Sequence, residues 1–377
     1  MPTSESSPPL FLYHRLVLKL GTSVLTAGSP RLNQPRMLDL VRQCARLHAA
    51  GVEVVVVSSA AIVAGRERLN YRPLPQAVPA KQMLAAVGQS HLMSHYSQFF
   101  DIYGIIAGQV LLTRADLDHR NRYLNARDTL QALLAERIVP IINENDAVST
   151  DEIKLGDNDN LSALVSNLVE TELLLILTDQ PGLLTADPRT DPTAQLIPEV
   201  EQIDDSLRAL AGGSRSGLGT GGMSTKLAAA DLARRGGAEV VIAAGSVEDV
   251  VLKAARGDNV GTRFRALGTR LESRKRWLLG GPAPAGRVFL DAGAVTALLD
   301  QGRSLLPVGI TRLEGQFERG DTVRICTADG REVARGLARY GAASLERIRG
   351  RRSEEIGAIL GYENSPEVVH RDDLVVL

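Results

Sequence analysis

Four short apolar runs, rich in β-branched residues and almost without polar interruption, constrain the fold of this chain most strongly. They cover residues 16–20, 52–57, 173–177 and 239–243. Such runs are typical of strands buried on both faces of a sheet. Helical periodicity lies between them, at residues 36–50, 80–100 and 224–235. This alternation predicts an α/β fold, an α/β/α sandwich with a mostly parallel central sheet.

The chain changes in character near residue 280. Residues 277–286 are rich in glycine and proline, which is typical of an interdomain linker. Beyond them, Asp329-Gly330 separates two short apolar stretches at 322–326 and 332–337, a strong signal for a β-hairpin. We therefore predict a disordered tail at 1–15, a large domain at 16–275, a linker at 276–286 and a small β-rich domain at 287–377.

Composition narrows the class of protein further. The formal net charge is -1, so no global field draws the chain to nucleic acid or to an anionic membrane. The two cysteines, Cys44 and Cys326, lack metal-ligand spacing and do not form a disulfide scaffold. We find no signal peptide, and no apolar run approaches the roughly 20 residues of a spanning helix. These features predict a cytoplasmic protein.

Two lysines follow patterns that suit a phosphate group. Lys19 stands at the end of the first predicted strand and is followed by a glycine and two hydroxyl residues. Lys226 lies in the first turn of a predicted helix that follows the glycine-rich run 217–222. Backbone N–H groups of such turns and helix starts bind anions. The alternative for the run is a flexible surface loop, and it is not a Walker A motif because the chain has no Gly-Lys dipeptide.

Short polar side chains form two dense groups, at residues 143–146 and 156–160. Both could be simple Asx-rich turns. However, apolar runs at 138–142 and 161–168 adjoin them, and polar groups held beside a core usually have a partner. An amino acid fits this description, because its ammonium would take Asp and Asn oxygens and its carboxylate would take N–H donors near Ser58 and Ser59. Residues 178–188 are predicted to form a long loop.

Taken together, these motifs resemble the bacterial glutamate-phosphorylating enzymes of the amino-acid kinase family. The resemblance rests on residues 19–23, 143–146, 156–160 and 219–223 and extends from about residue 16 to the C-terminus. The small C-terminal domain resembles a PUA domain. The resemblance implies ATP-dependent phosphorylation of the γ-carboxylate of L-glutamate, giving L-glutamyl 5-phosphate in the first step of proline biosynthesis. It also implies Mg²⁺, a homo-oligomer (dimer or tetramer), feedback inhibition by proline and a possible hand-off of product to a reductase.

The same resemblance assigns roles to individual residues. The catalytic residues would be Lys19, Lys226 and Asp159, with Asp159 orienting both lysines. Glutamate would be bound by Ser59, Asp146 and Asn158, with Asn143 and Asp157 close by. ATP would be bound by Lys19, Thr178, Asp179, Thr220, Gly221, Gly222, Met223, Ser224, Thr225 and Lys226.

The chemistry is consistent with these roles. The γ-carboxylate of glutamate has a pKa of about 4.3 and is already ionised at neutral pH, so it needs no general base. The lack of a candidate catalytic histidine is therefore expected. The reaction requires neutralisation of charge, which two lysines, helix N-termini and Mg²⁺ supply. No metal site made of protein side chains is predicted.

Two positions depart from the family pattern. Ala60 stands where the family has glycine, next to Ser59. If its backbone requires a positive φ, alanine costs on the order of 1 kcal/mol and its methyl could crowd the ligand. Leu184 replaces a tyrosine common in the family, for which we expect a modest effect on the nucleotide pocket.

The sequence leaves other functions open. The C-terminal domain could bind RNA, as PUA domains of RNA-modifying enzymes do, and four arginines lie close together between 347 and 352. Against this, residues 284–377 hold 13 arginines, 14 acidic residues and no lysine, whereas RNA-binding modules usually have a basic excess. The chain could also be a kinase for another small acid such as aspartate, or a noncatalytic sensor.

Overall fold

The computed structural model describes residues 11–75, 77–149, 158–188, 191–211, 222–269 and 283–377. Contacts between Cα atoms divide the chain into two compact units. Of the described residues, those at 11–117 and 126–269 belong to the first unit, and those at 118–125 and 283–377 belong to the second. Residues 11–14, within the predicted tail, include the buried Tyr13, and the N–H of Leu12 donates to the carbonyl of Ala255.

The first unit contains an eight-stranded sheet in the order β3-β4-β2-β1-β5-β7-β8-β6. Neighbouring strands are parallel except β7 and β8, which are antiparallel. The strands are β1 (Arg15–Leu20), β2 (Glu53–Ser58), β3 (Ala107–Leu112), β4 (Val139–Glu144), β5 (Leu173–Thr178), β6 (Glu199–Val200), β7 (Glu239–Ala244) and β8 (Thr262–Phe264). All four predicted strands are confirmed as β1, β2, β5 and β7.

Helices cover this sheet. They are α1 (Thr22–Thr26), α2 (Gln34–Ala49), α3 (Ala61–Arg68), α4 (Val78–Asp101), α5 (Arg114–Asp118), α6 (Arg120–Ala135), α7 (Asn158–Leu168), α8 (Asp205–Ala211), α9 (Met223–Arg235) and α10 (Val250–Arg256). The predicted helices are confirmed as α2, α4 and α9. Two features fix where α2 begins. Pro35 lies near its start, and the N–H of Arg36 donates to the side chain of the N-cap residue Asn33.

Alternation along β1 determines which side chains reach the site. Leu16, Leu18 and Leu20 point into one core, where they pack with residues of α2 and α10. Val17 and Lys19 point to the opposite face, because successive side chains of a strand alternate. Helices α7 and α9 pack against each other, and α7 also packs on β1 and β5. The ammonium of Lys19 therefore emerges beneath the start of α7.

The second unit has a five-stranded sheet in the order β10-β9-β11-β12-β13. Its strands are β9 (Gly286–Leu290), β10 (Ile310–Gly315), β11 (Thr322–Cys326), β12 (Glu332–Leu337) and β13 (Leu374–Val376), and its helices are α11 (Ala292–Leu299), α12 (Ala342–Ile348) and α13 (Ile356–Leu360). The predicted hairpin is confirmed: β11 and β12 are antiparallel, and Gly330 has φ 92° in their turn. This unit has its own apolar core. No helix in the described parts of the chain is long and apolar enough to cross a membrane.

Candidate active site

Polar side chains gather where the central strands end. β1 pairs with β2 on one side and β5 on the other, so Leu20 lies level with Ser58 and Leu177. Lys19, Ser59 and Thr178 consequently leave the sheet at the same carboxyl edge. This edge is where ligands bind in open α/β sheets.

A carboxylate between two lysines forms the centre of the site. Asp159 lies in the first turn of α7 and is completely buried. Its Oδ1 is 2.5 Å from the Nζ of Lys19, and its Oδ2 is 3.2 Å from the Nζ of Lys226. The hydroxyl of Thr225 also donates to Oδ2, at 2.8 Å. The structure thus brings together all three predicted catalytic residues.

The charges of this cluster depend on each other. Burial alone would raise the pKa of Asp159, but the ammonium groups of Lys19 and Lys226 and the hydrogen bonds outweigh it, and the pKa lies below the usual range. Burial lowers the pKa of Lys226, and Asp159 and Asp179 act in the opposite direction. Asp159 therefore stays ionised, and it can hold both ammonium groups near one point.

Amide side chains form a second cluster next to the first. Asn158, the first residue of α7, donates from Nδ2 to the Oγ of Ser59 at 2.9 Å and to the carbonyl of Ser58 at 3.2 Å. The same Nδ2 lies 3.1 Å from the Oδ1 of Asn143, at the end of β4. Ser59, Asn143 and Asn158, predicted to bind or adjoin glutamate, are therefore in direct contact. Because Asn158 and Asp159 are consecutive, the two clusters are adjacent.

Asp146 follows β4 in a turn and is half-buried. Burial raises the pKa of its carboxyl group. A carboxylate in this position would gain from a cationic partner, since such a partner lowers the pKa again.

The nucleotide residues that the structure describes lie at β5 and at the start of α9. The hydroxyl of Thr178 donates to the carboxylate of Asp179 at 3.0 Å. Gly222 is the N-cap of α9, and no side chain of the described residues caps this helix, whose first N–H groups point toward its N-terminal end. Met223, Ser224 and Lys226 follow in its first turns. The predicted residues Asp157, Thr220 and Gly221 lie outside the described residues.

Ala60 has a positive φ. Its φ is 76° and its ψ 12°, in the left-handed region, and it is the residue before α3. The condition under which alanine costs stability is therefore met. Leu184 pairs with Leu196 in an isolated bridge.

Two contacts of the amide cluster were not predicted. Gln89 on α4 accepts a hydrogen bond from the Nδ2 of Asn143 at 2.8 Å, and the hydroxyls of Tyr96 and Ser58 are 2.8 Å apart. The available signal was a glutamine within the apolar stripe of α4, in register with the buried Ala85 and Leu92. A polar residue on a buried helical stripe usually has a partner.

Both parts of the chain match known proteins. The profile of the amino acid kinase family matches residues 14–244, and that of the PUA domain matches residues 286–360. Glutamate 5-kinase of Shewanella amazonensis is 61% identical over 365 residues, covering 97% of this chain and 96% of that protein. Glutamate 5-kinase of Escherichia coli strain K12 is 59% identical over 360 residues, covering 96% and 98%. The chain therefore belongs to the amino acid kinase family, and a PUA domain follows its kinase domain.

Proposed function

We propose that this protein transfers the γ-phosphoryl group of ATP to the γ-carboxylate of L-glutamate, giving L-glutamyl 5-phosphate. The observation that carries the proposal is the buried Asp159 between Lys19 and Lys226, directly beside the Ser59, Asn143 and Asn158 cluster. One cluster suits a phosphate and the other an amino acid. The near-complete match to relatives named glutamate 5-kinase supports this substrate and the place of the reaction at the first step of proline biosynthesis.

Glutamate itself supplies the nucleophile. With a pKa of about 4.3, its γ-carboxylate is ionised at neutral pH and can attack without losing a proton. Asp159 is held ionised by its partners, so it has no proton to donate. Its role is to hold the two lysines, which act as point charges on the transferring group.

The amide cluster and Asp146 would hold the amino-acid end of glutamate. The Oδ1 of Asn158 is buried and has no hydrogen-bond partner among the described residues, so it is available to an ammonium donor. The carboxylate of Asp146 adds a negative charge to the same edge of the sheet. Both features favour the α-ammonium of a free amino acid.

ATP would lie across the start of α9, with its phosphates on the N–H groups of the first turn after Gly222 and its remaining parts near Thr178 and Asp179. The described residues contain no group of three His, Cys, Asp or Glu side chains able to hold a metal. Mg²⁺ would enter with the phosphates of ATP, which it prefers as ligands together with water. When bound, Mg²⁺ neutralises part of the triphosphate charge.

The test is ATP turnover with glutamate and Mg²⁺ in the presence of hydroxylamine, which traps the acyl phosphate as a hydroxamate. We expect product with glutamate and none with aspartate or N-acetylglutamate. Lys226→Ala should abolish most turnover while calorimetry still detects glutamate, whereas the matched variant Lys253→Ala on α10 should be normal. Turnover with another acid alone would reject the proposed substrate, and near-normal turnover of Lys226→Ala would remove that lysine from the mechanism.

Further properties belong to the same proposal. An acyl phosphate hydrolyses readily, which favours prompt delivery to a reductase. We also propose a homo-oligomer, a dimer or tetramer, that works in the cytoplasm and is inhibited by proline at or near the glutamate site. Sedimentation and inhibition assays test the assembly and the inhibition separately.

A further inference from the structure

We propose that Gln89 is a positioning residue for glutamate, acting through Asn143 and Asn158. The inference rests on the proposed function, since it concerns the same binding site. Gln89 lies on α4 and is 8% exposed. Among the described residues it forms no hydrogen bond with Lys19, Asp159 or Lys226 or with the residues predicted to bind ATP. Its connection to the site is the hydrogen bond from Asn143.

Backbone groups determine the direction of the amide chain at two points. The N–H of Glu144, which can only donate, points to the Oδ1 of Asn143 at 2.9 Å. The carbonyl of Ser58, which can only accept, receives the Nδ2 of Asn158. Asn143 must therefore direct its Nδ2 toward Gln89, and the Oε1 of Gln89 must accept this hydrogen bond.

This polarity leaves an acceptor available at the far end of the chain. Because the Nδ2 of Asn158 is committed to Ser58, Ser59 and Asn143, its Oδ1 is the atom left for the ligand. If Asn143 turned its amide over, its NH₂ group would face the NH₂ group of Asn158. Asn158 would then have to rotate, and the acceptor would be lost. The N–H of Glu144 sets the observed orientation of Asn143, and Gln89 supports that orientation by giving the Nδ2 of Asn143 a partner.

Core stability does not explain a glutamine at this position. The Nε2 of Gln89 is buried and has no hydrogen-bond partner among the described residues. An unsatisfied buried donor is unfavourable, and an apolar side chain of similar size would remove it. Neighbours of Gln89 on the buried face of α4, such as Ala85 and Leu92, are apolar. Gln89 thus carries an unfavourable buried donor, and its orientation is set by a residue of the binding site. Both features indicate a role in binding.

The experiment compares Gln89→Met with Gln98→Met, an exposed glutamine of the same helix. For Gln89→Met we expect the KM for glutamate to rise about tenfold or more, because misplaced binding groups weaken productive binding. The KM for ATP should stay within about twofold, and Tm should fall by only a few degrees, because one buried unsatisfied donor, the Nε2 of Gln89, is exchanged for another, the Nδ2 of Asn143. Gln98→Met should match the wild type in all three.

A double-mutant cycle tests whether Gln89 acts through Asn143. In an Asn143→Ala background, Gln89→Met should add little further loss of glutamate affinity, measured by calorimetry if turnover is too slow. Additive effects of the two substitutions on glutamate affinity would overturn the inference. An unchanged KM for glutamate in Gln89→Met would do the same, as would equal increases in KM for glutamate and for ATP together with a lowered Tm. Failure of the wild type to use glutamate at all would instead reject the proposed function, so the two failures are distinct.

Discussion

Ala60 combines a left-handed backbone with a position next to Ser59. Only glycine adopts φ 76° without a steric cost, which is about 1 kcal/mol or more for alanine. We predict that Ala60→Gly raises the free energy of unfolding by about 1 kcal/mol in urea titrations. Because the methyl no longer limits the Ser59 segment, the KM for glutamate should also fall.

Ala64→Gly is the matched control for Ala60→Gly. Ala64 is fully buried in the interior of α3, where glycine lowers helix stability by about 1 kcal/mol. The two substitutions should therefore change stability in opposite directions. A loss of stability in both would contradict the assignment of backbone strain to Ala60.

Lys226 gives the site a characteristic pH dependence. Burial, aided by repulsion from Lys19, holds its pKa below the ordinary 10.5, although Asp159 opposes the shift. With rising pH, kcat/KM for ATP at saturating glutamate should fall through an ionisation below 10.5, because the ammonium loses its proton. Between the lowered pKa of folded Lys226 and the ordinary value of the unfolded chain, the unfolded chain binds this proton more tightly. The contribution of Lys226 to the free energy of unfolding therefore rises with pH in this range, so the titration of Lys226 does not reduce activity by unfolding the protein.

Lys226→Arg checks the origin of this ionisation. A guanidinium stays charged up to a pH of about 12, so the variant should have lower activity but no decline in the same range. Lys253→Arg should keep the wild-type profile. An unchanged basic limb in Lys226→Arg would assign the ionisation to another group.

The charged residues of the site could be predicted from the sequence, but the residues that hold them or their neighbours in position could not. Lys19 and Lys226 belong to recognisable local patterns, and the family resemblance implies the roles of both lysines and of Asp159. Gln89 was not predicted, because it meets Asn143 only when α4 and β4 come together in the fold. The φ of Ala60 was likewise left open, since alanine itself gives no signal for a positive φ.

At the scale of elements, burial favoured the prediction of strands but did not decide it, because the equally buried β4 was recognised only as the apolar run 138–142. β1, β2, β5 and β7 are almost entirely buried and therefore read as continuous apolar runs. β3 was missed because it is the edge strand, partly exposed along most of its length. β6 and β8 are too short to give a periodic pattern.

Helices α3 and α4 are packed closely enough to make Gly88 sensitive to substitution. A Cβ on Gly88 would lie 1.7 Å from the carbonyl oxygen of Ala61, a backbone atom that cannot simply turn away. We predict that Gly88→Ala lowers the free energy of unfolding by about 2 kcal/mol or more. The KM for glutamate should also rise, because α3 follows Ser59 and Gln89 is the next residue on α4.

Gly293→Ala is the control for Gly88→Ala. A Cβ on Gly293 would meet nothing closer than the Oδ1 of Asp291 at 3.4 Å, and the residue lies in α11. Alanine there should be neutral or stabilise by up to about 1 kcal/mol. Equal effects at both glycines in urea titrations would show that close packing of α3 and α4 is not the cause.

At the scale of the whole molecule, each unit has its own apolar core and its own cysteine. Cys44 lies in the core of the first unit, where burial raises the pKa of its thiol to about 12. Cys326 is buried on β11 in the second unit. Both thiols are free, so each reports on the opening of one unit.

These two thiols allow the location of ligand binding to be tested in the intact chain. Glutamate together with a non-hydrolysable ATP analogue should stabilise the first unit, by about 2.7 kcal/mol at a concentration 100 times Kd. When opening is faster than labelling, modification of Cys44 should then slow about 100-fold, while that of Cys326 should not change. Mass spectrometry of the labelled peptides separates the two rates. Equal protection of both cysteines would show that the two units unfold as one, and protection of Cys326 alone would place the ligands outside the proposed site.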